Sequence, residues 1–67
     1  MIKIRLAVLL AERGIKIRDI HARTGIPMTT LRTLYYGRSN SVKIKDLEAI
    51  CKMLNCSVGD ILDYQAR

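Results

Sequence analysis

The sequence predicts an all-α fold, a compact bundle of five short helices around one core. Three observations support this prediction. Apolar residues recur at intervals of three and four in five separate segments, which is the pattern of amphipathic helices. A glycine or an asparagine follows four of these segments, so the connections between them are short. The chain of 67 residues has the length of one small domain, and we expect residues 1–67 to form it.

The first helix is expected from about residue 5 to residue 13, with three leucines on one face and Gly14 after its end. Residues 1–4 precede it as a lead-in, in which apolar residues alternate with a lysine. This alternation fits either an extended segment or a short strand, and the sequence does not decide between them.

The second helix is expected over residues 17–24, and Gly25 ends it. Only Gly25, Ile26 and Pro27 separate it from a third helix over residues 28–36. This connection has the length of the turn in a helix-turn-helix motif. Ile26 is apolar within a tight turn, so we expect it to fill the space between the two helices.

The third helix divides into two faces at about 100° per residue. Its packing face holds Thr30, Leu31, Leu34 and Tyr35. Its outer face is polar, cationic and aromatic, carries no acid, and consists of Met28, Thr29, Arg32, Thr33 and Tyr36. Gly37 follows as a left-handed cap. A short helix with such an outer face suits insertion into a DNA groove.

The fourth helix is expected over residues 44–54, with apolar residues at successive helical turns and Asn55 as a left-handed stop. The fifth helix begins at Ser57, where a serine followed three residues later by Asp60 fits a capping box. We expect its apolar face to consist of Val58, Ile61 and Leu62. Residues 64–67 are expected to form a frayed tail.

The charge of the chain favours a polyanionic partner. Twelve Lys and Arg residues face six Asp and Glu residues, which gives a net charge of +6. On so small a domain this produces a positive field that attracts nucleic acid. The apolar run near the N-terminus is too short for a signal peptide or a membrane span, so we expect a cytoplasmic protein without membrane contact.

The residues that carry most enzyme chemistry are few and scattered. Cys51 and Cys56 lie five residues apart across a helix end, and we expect them to be poorly placed to pair. With a single histidine, His21, they complete no zinc site. No nucleophile with a base beside it and no glycine-rich phosphate loop is visible. We therefore expect no cofactor, no metal and no enzymatic activity.

Beyond these patterns, the chain resembles the Cro-like helix-turn-helix proteins of the phage-repressor (XRE) family over about residues 4–64. The resemblance lies in the leucine spacing and the glycines from Arg5 to Gly37, and in the ending Leu54-Asn55-Cys56 with Gly59-Asp60-Ile61-Leu62. It implies a lambda-repressor-like five-helix domain that binds DNA. We expect a transcriptional regulator and favour a repressor, although the sequence leaves repression and activation both open. Its third helix is expected in the major groove of a double-stranded operator, with the protein bound as a homodimer.

The resemblance assigns the base contacts to the residues that the helical wheel puts outside, Met28, Thr29, Arg32 and Thr33. The guanidinium of Arg32 can bind guanine O6 and N7 together, or it can bind a phosphate. The two threonines can donate to bases or touch a thymine methyl, and Met28 offers only apolar contact. Related proteins often carry amides at these positions, so the target sequence stays open.

Phosphate contacts are expected from the polar loop after the third helix and from neighbouring helix starts. The basic and polar residues at these places are Arg18, Tyr36, Arg38, Ser39, Asn40, Ser41, Lys43 and Lys45. The first amides of the fourth helix also attract anions.

The chain departs from the family pattern at several helix positions. Lys16 and Ile17 replace a Ser or Thr cap and a phosphate-binding Gln, and Lys43 replaces the cap of the fourth helix. His21 stands where a small residue is usual, so it should widen the helix approach or swing outward; it could also act as a pH switch.

A further departure concerns an ion pair that the family often forms between its first and third helices. Leu10 and Tyr35 occupy the two matching positions. We expect these side chains to touch, since replacing a buried ion pair by an apolar contact can be neutral or stabilising.

Two other functions stay open at this stage. The same fold could serve as an antitoxin-type or regulatory module that binds a protein partner. The chain could also bind single-stranded nucleic acid by stacking bases on its tyrosines.

Overall fold

A computed structural model describes residues 1–66 and contains, within them, five helices and a two-stranded antiparallel sheet. The elements in chain order are β1 (Ile2–Ile4), α1 (Leu6–Arg13), α2 (Ile17–Thr24), α3 (Met28–Tyr35), α4 (Ile44–Leu54), α5 (Val58–Ile61) and β2 (Leu62–Tyr64). The predicted helical bundle is confirmed, and the small sheet is an addition to it.

One apolar core joins the helices. Every helix contributes to it, and so does the turn between α2 and α3. The buried residues are Leu6, Leu9, Leu10, Ile20, Ile26, Leu31, Leu34, Leu47, Ile50, Leu54 and Ile61. Because short helices are marginal in water by themselves, this shared core is what holds α2 and α3 in a fixed relation.

The two chain ends pair with each other. Ile2 lies opposite Tyr64, and Ile4 lies opposite Leu62. The sequence allowed either an extended segment or a short strand for the N-terminal lead-in, and this pairing shows that it forms a strand. It also shows that the expected frayed tail is wrong at its start, because Tyr64 belongs to β2 and the Gln65 N–H donates to the Met1 carbonyl at 2.7 Å. The end of that tail, residue 67, lies outside the described residues.

The helix caps follow the sequence closely. The Ser57 N–H donates to the Asp60 carboxylate at 3.0 Å, and the Ser57 hydroxyl donates to it at 3.2 Å. These hydrogen bonds hold the pKa of Asp60 below its usual value. Lys16 and Lys43 occupy the cap positions before α2 and α4, and neither side chain makes a capping hydrogen bond, as expected of a side chain that offers no acceptor. The Lys16 N–H instead donates to the Asp19 carboxylate at 3.0 Å.

One side chain differs from its expected surroundings, and another makes a contact that the sequence did not predict. Val58, assigned to the apolar face of α5, is half exposed, and Ile61 alone is fully buried in that helix. The Arg13 guanidinium at the end of α1 donates to the Leu54 carbonyl at the end of α4. It thereby satisfies one of the carbonyls that a helix end leaves unpaired.

Candidate nucleic-acid interface

The turn between α2 and α3 is fixed by backbone geometry and by three side chains. Gly25 has φ of +77°, a value that favours glycine, and its N–H donates to the His21 carbonyl at 2.9 Å. Ile26 is 4% exposed and fills the corner between the helices, as predicted. The Thr24 hydroxyl donates to the Ile20 carbonyl at 2.6 Å and accepts from the Ile26 N–H at 3.3 Å.

His21 has a role in this turn that the sequence did not reveal. Its side chain is exposed, so it swings outward rather than separating the helices. Its Nδ1 lies 2.6 Å from the Ile26 carbonyl oxygen and donates to it. This hydrogen bond ties α2 to the residue before Pro27 and fixes the direction in which α3 leaves the turn.

The two faces of α3 separate as the helical wheel predicts. Leu31 and Leu34 are buried, whereas Thr29, Arg32 and Thr33 are exposed. Met28 differs in degree, because it is half-buried and packs against the core. The outward surface of α3 is therefore formed mainly by two threonines and one arginine.

The two exposed threonines are linked along the helix. The Thr33 hydroxyl donates to the Thr29 carbonyl at 2.8 Å. A threonine hydroxyl has one hydrogen and two lone pairs, so this contact uses the hydrogen and leaves the lone pairs available to a donor. Thr33 thus presents an acceptor and a methyl group, whereas the sequence had suggested a donor.

A left-handed turn at Gly37 ends α3 and directs the following loop. Gly37 has φ of +68°, its N–H donates to the Leu34 carbonyl at 3.1 Å, and the Arg38 N–H donates to the Thr33 carbonyl at 2.9 Å. This pair of hydrogen bonds is the Schellman motif. It holds Arg38 against the last turn of α3, next to the outward surface.

An aromatic and cationic cluster forms at this end of the helix. The rings of Tyr35 and Tyr36 meet edge to face, with centroids 5.2 Å apart. The Arg38 guanidinium carbon lies 5.6 Å from the centre of the Tyr36 ring, within range of a cation–π contact. Tyr36 is 64% exposed and follows the last helical residue rather than ending the helix, so the expected third helix was one residue too long.

Tyr35 is the inner member of the pair. It is half-buried and packs against the same core in which Leu10 is buried. The expected direct contact between Tyr35 and Leu10 stays a prediction.

A shallow concavity of about 530 Å³ lies between α3 and the loop that follows it. Thr33 from the outward surface lines it, together with most of the loop residues expected to contact phosphate, Arg38, Ser39, Asn40, Ser41 and Lys43. The concavity is also lined by Thr30, which the helical wheel put on the packing face, and by the acid Asp46, which the sequence did not single out. The carboxylate of Asp46 sets a limit on how far an anion can enter.

The other expected phosphate contacts lie on helices. Arg18 is exposed in the first turn of α2, and Lys45 is exposed in the first turn of α4. Both lie at the N-terminal ends of their helices, where free backbone amides favour anions. Neither lines the concavity beside α3.

The described residues lack the features of a metal site and of a membrane-spanning helix. Across 1–66, no three His, Cys, Asp or Glu side chains come together as metal ligands would. In the same part of the chain, each helix is too short or too polar to cross a membrane.

Comparison with known proteins agrees with this geometry. The sequence matches the model of the Cro/C1-type HTH DNA-binding domain over residues 5–67. It is also similar to a protein of Bacillus subtilis (strain 168) named uncharacterized HTH-type transcriptional regulator YozG. The two are 40% identical over 63 residues, which cover 94% of this chain and 75% of the relative. No solved structure matches the chain.

Proposed function

Because the chain belongs to the Cro/C1-type helix-turn-helix family of DNA-binding domains, we propose that it is a sequence-specific transcriptional repressor. In this proposal α3 enters the major groove of double-stranded DNA. The observation that carries it is the exposed, acid-free surface of Thr29, Arg32 and Thr33 beside a basic loop. A protein that acts on DNA in this way works by binding rather than catalysis, and the expected cytoplasmic location fits it.

Arg32 is the proposed main reader of base identity. Its side chain is exposed at the middle of α3, and a major groove about 12 Å wide admits a helix of this size. A bidentate contact with guanine O6 and N7 discriminates against other bases by about 1–3 kcal/mol. Thr29 and Met28 lie nearer the start of α3 and complete the proposed surface with smaller contacts.

Thr33 is proposed to read an amino group. Since its hydroxyl hydrogen is bonded to the Thr29 carbonyl, its free lone pairs can accept only from a donor. In the major groove the donors are the N6 amino group of adenine and the N4 amino group of cytosine. A thymine beside Thr33 would meet only its methyl group.

The phosphate contacts are proposed along both sides of α3. The loop from Arg38 to Lys43 lies on one side, and Tyr36 lies at the end of the helix with its hydroxyl free to bind phosphate. Arg18 and Lys45 add cations from neighbouring helices. If about six phosphates are neutralised, affinity should fall roughly a thousandfold between about 50 and 200 mM salt.

We propose that the chain binds as a homodimer. One helix of eight residues covers only a few base pairs, and two copies on a palindrome double the contacts. Exposed apolar side chains offer two candidate surfaces for pairing. One is formed by Ile2 and Tyr64 on the sheet, and the other by Ile44 and Val58 beside α4 and α5. Analytical ultracentrifugation of the protein alone and with DNA measures the stoichiometry.

Fluorescence anisotropy tests the proposal. The titrations use duplexes from the promoter region of the protein's own gene and random duplexes, over a series of salt concentrations. The proposal predicts tighter binding to one promoter site and a steep loss of affinity with salt. Equal and weak binding to all duplexes would refute specificity. Tight binding to a protein partner that survives Arg32→Ala, with little DNA affinity, would instead support the antitoxin-type module.

A further inference from the structure

The two cysteines, Cys51 and Cys56, lie on either side of the turn that ends α4. Asn55 has φ of +51° and forms the left-handed turn. The Cys56 N–H donates to the Cys51 carbonyl at 3.1 Å across this turn. The Asn55 N–H donates to the same carbonyl, and a contact between the side chains at positions 51 and 56 is frequent in left-handed helix ends of this kind. The turn brings the thiols into hydrogen-bonding range of each other, a proximity that their separation in sequence did not predict.

The backbone geometry is compatible with a bond between them. Given the hydrogen bond between Cys56 and Cys51, standard bond lengths limit the distance between their Cα atoms to about 7 Å. Disulfides span about 4.4–6.8 Å between Cα atoms. The separation of the two Cα atoms therefore lies within or close to the range that a disulfide spans.

The environment of the thiols adds a second observation. Burial raises the pKa of the Cys56 thiol, and the neighbouring Cys51 raises it further through charge repulsion and hydrogen bonding. Such coupling requires that the two sulfur atoms are neighbours. The Asp60 carboxylate also raises this pKa, whereas the Arg13 guanidinium lowers it. Both cysteines are free and half-buried.

Small molecules can reach the pair. Cys51 and Cys56 line an open concavity of about 580 Å³ between α4 and α5. The exposed side chains of Ile44 and Val58 lie at its surface. This concavity shares no lining residue with the one beside α3.

We propose that Cys51 and Cys56 form a reversible dithiol–disulfide site, oxidised by a low-molecular-weight disulfide. One cysteine thiolate attacks a sulfur of the small disulfide, which forms a mixed disulfide and releases one small thiolate. The second cysteine thiolate attacks the protein sulfur of this mixed disulfide, which closes the internal bond and releases the second small thiolate. The two protein thiols are oxidised, the small disulfide is reduced to two thiols, and the two protons pass to those thiols.

The site has a defined pH dependence and a defined structural effect. Only the thiolate reacts, and the pKa of the Cys56 thiol is raised. The reactive fraction of Cys56 therefore grows as the pH rises, and closure should become faster. The new bond would tie the last turn of α4 to the residue before Ser57, the cap of α5. It would remove both thiols from the concavity without touching any proposed DNA contact.

The test equilibrates the whole chain in buffers of reduced and oxidised glutathione, followed by acid quenching and alkylation of the remaining thiols. Intact mass spectrometry should show a species that has lost two hydrogens and carries no alkyl group, in an amount independent of protein concentration. Trypsin cleaves after Lys45 and Lys52. The peptides 46–52 and 53–67 should therefore stay joined until a reductant is added.

Three controls make the outcome decisive. Cys51→Ser and Cys56→Ser should each stop at the mixed glutathione disulfide. The same equilibrium measured in urea reports the unfolded chain, and closure of the folded chain should be favoured by at least about tenfold over it, or about 30 mV. Glutathione adducts on both cysteines without closure, or equal equilibrium constants in the folded and unfolded chains, would overturn the proposal.

Discussion

Replacing Gly37 by alanine should destabilise the protein through backbone conformation alone. Gly37 has φ of +68°, and no atom outside Gly37 and its two chain neighbours lies within 4 Å of the position that a Cβ would take. The substitution therefore adds no clash, but it forces alanine into the left-handed region, which costs about 1–2 kcal/mol. For a domain of this size, such a loss lowers the melting temperature by about 5–15 °C.

Gly59→Ala is the matched control. Gly59 lies in α5 with ordinary helical φ, and an added Cβ would meet only the Ser57 oxygen at 3.7 Å, an ordinary contact. Alanine is favoured over glycine in helices, so this variant should be as stable as the original chain or more stable. Gly37→Asn should lose less than Gly37→Ala, because asparagine adopts the left-handed conformation more readily.

Thermal and urea unfolding followed by circular dichroism measure these differences. The Schellman motif at Gly37 also orients Arg38, so Gly37→Ala should weaken DNA binding at temperatures where the protein is still folded. If Gly37→Ala and Gly59→Ala change the free energy of unfolding by the same amount, the account of this turn is refuted.

Four other substitutions test separate parts of the account. Leu34→Ala should lower the free energy of unfolding by about 2–5 kcal/mol in urea titrations, because it leaves a cavity in the core. Arg32→Lys keeps the charge but loses the bidentate fork, so it should reduce specificity in anisotropy titrations more than binding to random DNA. Lys45→Ala should lower the salt slope by about one per protomer, whereas Lys52→Ala at the other end of α4 should not. The pKa of Asp60 is lowered in the folded protein. The stability that Asp60 contributes is therefore present above its unfolded pKa and is lost as the pH falls towards its folded pKa. Asp60→Asn should remove this part of the pH dependence of the free energy of unfolding.

The helices could be predicted because independent signals in the sequence agree with one another. Apolar spacing, glycine and asparagine stops, and the pairing of Ser57 with Asp60 all indicate the same boundaries. The outward surface of α3 could be predicted for the same reason, because burying Leu31 and Leu34 forces Arg32 and Thr33 to face outward. Helical geometry alone determines this result.

The features that could not be predicted depend on contacts between residues distant in sequence or on the backbone path through a turn. β1 and β2 are each only three residues long, and neither has a hairpin turn to mark it, so their pairing from opposite chain ends has no local signal. The hydrogen bond of His21 with the turn depends on the path of the backbone after Gly25. The approach of Cys51 and Cys56 likewise depends on the left-handed conformation of Asn55. The separation of the two cysteines in the sequence does not reveal that this turn brings their side chains together.

Methylation interference on a selected duplex tests the central claim most directly. Dimethyl sulfate modifies guanine N7 in the major groove and adenine N3 in the minor groove. If α3 reads the major groove through Arg32, methylation at one guanine in each half-site should block binding, and Arg32→Ala should become insensitive to that guanine. Methylation of the minor-groove adenines should have no such effect on either protein. Interference from minor-groove adenines alone, unchanged by Arg32→Ala, would contradict the account.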